Sequence, residues 1–148
     1  MIRPVPLALI GVISVALVTP SMAQDPVRAG IRASFDQFEN DLRGADVTPF
    51  INRDIETALN AGASQEEYLD LVAGRNYGIR GVCDGDCSDL DLVLQDAQGR
   101  IVGSDTLADA QPGITVEQAA GGRYRLTIQM ISCSIEPCLV GVRAYHLE

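Results

Sequence analysis

Four carboxylates fall within eight residues, at Asp84, Asp86, Asp89 and Asp91, and the first two lie between Cys83 and Cys87. Closely spaced carboxylate oxygens from a bent loop and the start of a strand are the hard ligands that calcium takes. At alternate strand positions, Asp89 and Asp91 would project on one face about 7 Å apart. These residues point to a calcium site, which Asp105 could join from a neighbouring return strand. The spacing is not that of an EF-hand, because Asp89 stands where that loop needs glycine. The competing reading is a solvated acidic loop whose aspartates cap their own turns.

A second cysteine pair, Cys133 and Cys138, brackets another short polar loop. An even cysteine count in an exported chain favours two disulfides over metal thiolates. Of the three pairings, the local ones are preferred, Cys83 with Cys87 and Cys133 with Cys138, because each bridge would close a short loop. Loops this small gain only about 2 kcal/mol each in the loop-closure model, so the bridges would set loop shape more than hold the domain together. The alternative is a tetrahedral zinc site built from the two pairs.

Residues suited to catalysis are sparse. The single histidine, His146, stands two residues from the C-terminus, and no serine has a nucleophile-elbow setting or a His and Asp partner pattern. Paired carboxylates can hydrolyse glycosides, but the chain has no tryptophan to stack a sugar. It also has no lysine, which removes Schiff-base chemistry and phosphate-loop lysines. The expectation is a protein that is not an enzyme.

Residues 1–23 read as an export signal: Arg3 is the positive charge, Leu7 to Val18 the apolar run, and Ser21-Met22-Ala23 a small-x-small cleavage site. The apolar run falls short of the roughly 20 residues that span a bilayer, so no stable membrane insertion is expected once the signal is removed. Losing Arg3 leaves ten basic against twenty acidic residues, a net charge of −10. Such a surface repels nucleic acid and anionic lipid, and leaves cations and basic surfaces as partners. A periplasmic or secreted location follows from signal and cysteines together.

The elements that would position these residues are legible from periodicity. Asp25-Pro26 can open a helix, and Val27, Ile31, Phe35, Phe38 and Leu42 recur along one face before Gly44 stops it, placing a helix over 24–45. Residues 46–64 are ambiguous. Thr48-Pro49 could start a second helix, yet Ile55, Thr57 and Leu59 alternate, and an entering strand is preferred.

From residue 65 the period is two. Leu69 and Leu71, then Tyr77, Ile79 and Cys83, then Leu90, Leu92 and Leu94 each share a face; Gly78 and Gly81 allow close backbone approach. After the Asp96-Ala97-Gln98-Gly99 turn come Arg100 to Ser104, Ile114 with Val116, Tyr124 to Met130, and Val140 to Ala144. About seven short strands behind one amphipathic helix predict a mainly β, antiparallel jelly-roll-like sandwich.

Several of these stretches carry a family resemblance. Asp89-Leu90-Asp91-Leu92-Val93-Leu94, Asp96-Ala97-Gln98-Gly99, Ala120-Gly121-Gly122-Arg123-Tyr124-Arg125-Leu126 and the earlier Leu71-Val72-Ala73-Gly74-Arg75-Asn76-Tyr77 resemble the strand and turn motifs of bacterial pre-peptidase C-terminal (PPC) domains. The likeness runs from about residue 65 to 145. It implies a secreted β-sandwich, in some members calcium-stabilised and binding matrix or carbohydrate. The chain departs from that pattern in its leading helix, its cysteine pairs and its lack of a catalytic domain.

The function expected is an exported binding or accessory module, calcium-stabilised if the aspartates bind the ion, that presents loops to a protein or polysaccharide. The alternative is a structural envelope protein that forms a homodimer through the Val27 to Leu42 helix face.

Overall fold

The computed structural model describes residues 24–41, 47–49 and 54–147. The export signal, Leu42, Gly44, Asp46 and residues 50–53 lie outside the described residues. One helix, α1 (Gln24–Asp41), precedes nine strands: β1 (Val47–Pro49), β2 (Ile55–Leu59), β3 (Ser64–Leu71), β4 (Asn76–Cys83), β5 (Cys87–Gln95), β6 (Ile101–Asp105), β7 (Gly113–Val116), β8 (Gly122–Cys133) and β9 (Cys138–Leu147). The ambiguous segment contributes β1 and β2, so Val47–Pro49 is strand and not the start of a second helix.

The strands pair as a nest, all antiparallel: β5 with β6, β4 with β7, β3 with β8 and β2 with β9. This is one long hairpin rolled up, and the pairs β4 with β9 and β5 with β8 close the roll. The result is two facing sheets, β1-β9-β4-β7 with β2 also on β9, and β3-β8-β5-β6. That order is a jelly roll, in which all but one of the links from β2 to β9 cross from one sheet to the other.

Alternation puts the core between the sheets. Leu90, Leu92 and Leu94 on β5 and Leu126, Ile128 and Met130 on β8 are fully buried, facing Tyr77 and Ile79 on β4 and Val140 and Val142 on β9. Gly81 is a point of close approach: a Cβ there would stand 3.1 Å from Pro112 Cγ and 3.3 Å from Leu90 Cδ2.

A second, smaller core lies on the other side of β4 and β9. Ile31 and Phe35 of α1 are buried against Val82 and Leu139, with Val27 packed beside them. The Phe38 ring centroid stands 5.7 Å from that of Tyr145, with the Arg80 guanidinium 4.6 Å from the Phe38 centroid. From Val27 to Phe38, the apolar stripe expected for self-association is therefore occupied inside its own chain. Because β9 is covered on both faces, it reads as an almost unbroken apolar run, Cys138 to Tyr145, interrupted by Gly141 and Arg143.

Candidate functional site

The nested pairing decides which loops meet. The four links β2 to β3 (60–63), β4 to β5 (84–86), β6 to β7 (106–112) and β8 to β9 (134–137) gather at one end of the sandwich, and hydrogen bonds tie them together. Ser134 donates through N and Oγ to the Asp86 carbonyl, at 2.8 and 2.9 Å. Ala61 N donates to Glu136 Oε1 at 2.8 Å, and Leu90 N to the Asp109 carbonyl at 2.9 Å.

Two disulfides brace this rim. Cys83 is bonded to Cys87 and Cys133 to Cys138, each with Cα atoms 5.9 Å apart. Cys87 and Cys133 are themselves register partners on β5 and β8, so the two closed loops stand side by side. Asp84 locks them further: its Oδ2 accepts from Leu139 N at 2.7 Å, and its own N–H donates to the Leu139 carbonyl.

Polarity at the rim is one-sided. The four loops carry Asp84, Asp86, Asp109 and Glu136, with Asp105 at their base, and contain no lysine or arginine. Arg80 reaches in from β4 to donate to Gln111 Oε1. Among these acids stand two aliphatic side chains, Leu107 and Ile135, each 68% exposed. Ile135 is held at the tip of the loop that Cys133 and Cys138 close, so the backbone beneath it has little freedom to lose on binding.

The aspartates expected to bind calcium do not converge. Among the described residues, no group of three or more His, Cys, Asp or Glu side chains is placed to hold a metal ion. Asp84 and Asp86 belong to the rim, and both oxygens of Asp84 accept backbone N–H groups. Asp105 is likewise a cap, accepting from Leu107 N and Gly113 N.

Asp89 and Asp91 face away from the core on β5, and one oxygen of each, Oδ1, is shielded from water without a hydrogen-bond partner. Burial raises the Asp91 carboxyl above the ordinary aspartate range, and the negative charges of Asp89 and Asp105 push it the same way. His146 is paired in register with Tyr77, the ring centroids 5.1 Å apart, at the β1 end of β9.

Sequence reasoning located the cysteine loops and the acidic stretch. It did not find that the links at 60–63 and 106–112 join them, nor that α1 roofs the β4-β9 face. The available signal was the double-sided apolar run of β9, which implies a cover on each side.

No protein-family model matches the chain, and no curated protein matches it. Solved structures do, 21 chains in all. One is PliG of Aeromonas hydrophila, a periplasmic lysozyme inhibitor of g-type lysozyme, at 17% identity over 72% of this chain and 90% of that one, with a TM-score of 0.44. Another is the carbohydrate-binding module CBM36 in complex with calcium and xylotriose, at 17% identity over 70% and 94% of the two chains, with a TM-score of 0.32. Likeness of this degree transfers no function or ligand. The class that the coordinates define is a disulfide-braced β-sandwich with a helix packed on one sheet. Among the described residues no helix is long and apolar enough to cross a membrane.

Proposed function

We propose that this chain is an exported, non-enzymatic binding module of the periplasm or the secreted fraction, and that its loop rim docks on a basic protein surface. The observation that carries the reading is the rim itself: acidic loops free of basic residues, pinned by two disulfides, holding Ile135 and Leu107 out in solvent. An exposed apolar side chain on a rigid loop supplies an anchor for a partner's pocket, and the surrounding carboxylates speed and orient the encounter. The PPC-like strand motifs fit the same role, because they build the sandwich and leave the loops to specify the partner.

The test presents the mature chain, and an Ile135→Asp, Leu107→Asp variant, to an envelope extract and to g-type lysozyme and xylotriose as defined probes. A basic protein held by the parent and released by the variant supports the reading. Equal retention by both forms, or retention of the sugar alone, removes it.

A second reading rests on Asp89 and Asp91. Their two shielded, unpartnered oxygens fit a cation, and calcium there would neutralise charge that burial has made costly. Two carboxylates leave most of the six to eight oxygens of its shell to other groups, so binding at the weak end, about 1 mM, is expected. A melting temperature unmoved by ~10 mM calcium, far above that constant, rejects this site.

A further inference from the structure

Beside the rim, between α1 and the loop closed by Cys83 and Cys87, lies a cleft of about 340 Å³. Val27, Gly30, Ile31 and Ser34 form its helical wall, and Cys83 to Asp86 form the other. We propose that this cleft receives a lysine or arginine side chain of the protein partner, its aliphatic stem against Val27 and Ile31 and its charged head toward Asp84 and Asp86. The inference rests on the rim being the docking surface and names the chemistry it selects.

The charge arrangement supports it. The helix has two arginines near this wall, and both are directed to Glu56 on β2: Arg32 Nη2 lies 3.1 Å from Glu56 Oε1, and Arg28 Nε 3.7 Å from Oε2. No ion pair among the described residues uses Asp84 or Asp86. Asp84 is held in place by its backbone hydrogen bonds and still has lone pairs for a cation, while Asp86 is exposed and its carboxylate accepts no hydrogen bond among the described residues.

An apolar wall facing an acidic one suits a side chain that is hydrocarbon along its length and cationic at its end. An anion would meet like charge, and a purely apolar group would bury against Asp84. Ser34 adds little to the selection, since its hydroxyl is turned back to the Gly30 carbonyl at 3.1 Å.

Agmatine, a guanidinium and an ammonium joined by a four-carbon stem, is the probe, with the dianion glutarate as the control, titrated into the oxidised mature chain and followed by amide NMR. Saturable millimolar shifts at Val27, Gly30, Ile31 and Gly85 are expected, absent with glutarate. Asp86→Asn should weaken them about two- to five-fold, the scale of one exposed ion pair. Gly30→Met should abolish them by filling the cleft, since a Cβ at Gly30 meets nothing within 4 Å and the change favours the helix.

Asp86→Asn should keep the parent melting temperature and Gly30→Met should keep or raise it, so a lost signal is not a lost fold. Absence of saturable shifts at these residues, or equal shifts with glutarate, overturns the proposal. That failure is separable from failure of the rim reading: without agmatine binding, the Ile135→Asp, Leu107→Asp comparison still reports on docking.

Discussion

Gly141 on β9 lies directly beneath Ile31 on α1, so close that a Cβ at position 141 would collide with Ile31 Cγ2 and stand 3.1 Å from Phe35 Cε2. The helix reaches the sheet because that strand position has no side chain. Gly141→Ala should therefore lift α1 from β9 at a cost of about 1 to 3 kcal/mol. Thermal melting monitored by circular dichroism should show a drop of roughly 5 to 15 °C. An unchanged melt means that the helix is not seated on β9.

Phe35 makes the same contact from the other side and separates the two functional readings. It is fully buried within its own chain, with the Arg143 guanidinium 4.5 Å over its ring. Phe35→Ala should cost about 3 to 5 kcal/mol. The native mass by light scattering should stay that of the parent until the protein unfolds. A parent dimer that this change converts to a stable monomer would instead restore the self-associating envelope protein.

The extent to which this architecture was readable differs between elements for physical reasons. Inner-face positions such as Leu90, Leu92 and Leu94 are legible because one buried face imposes strict alternation, and the same pattern identified Ile55 to Leu59 as strand. The helix stripe was legible as apolar, but its partner was not, because periodicity marks a face and not what covers it. The division of the aspartates was hidden for a similar reason. Four carboxylates adjacent in sequence are divided by the loop-to-strand transition at Cys87, which leaves Asp84 and Asp86 on the rim and sends Asp89 and Asp91 to the outer side of β5. Glu136 and Asp109, distant in sequence, join the rim only through the nested pairing.

Arg143 joins α1 to the segment before β2. It donates from Nε and Nη2 to the two oxygens of Asp54, at 2.6 and 2.8 Å, and from Nη1 to Glu39 at 2.7 Å. Its side chain is only 15% exposed, and the Asp54 hydrogen bonds hold its proton more tightly than in a free arginine. Lysine cannot reproduce a two-pronged contact, so Arg143→Lys should cost about 1 to 2 kcal/mol despite keeping the charge. Combining it with Glu39→Gln should give less than the sum of the single losses, because both changes break one network. Strict additivity in denaturant melts would dissociate Glu39 from that network.

Asp91 supplies the pH dependence. Its folded carboxyl is raised above the reference value of 3.8, with burial the main cause. As pH rises past 3.8 the unfolded chain loses this proton first, while the folded chain still holds it; folding therefore becomes less favourable, and the loss is complete once pH exceeds the folded value. Asp91→Asn removes the charge without changing the shape. At pH 7 it should stabilise the protein, by less than about 1 kcal/mol because the carboxylate is only partly buried and solvent screens its charge. The advantage should shrink as pH falls through the folded value and vanish below 3.8, where Asp91 is protonated in both states. Denaturant titrations from pH 3 to 7 measure this directly. A gain that is equal at every pH traces to packing and not to charge, and a gain at pH 7 that added calcium cancels in the parent alone ties the same carboxylate to the ion.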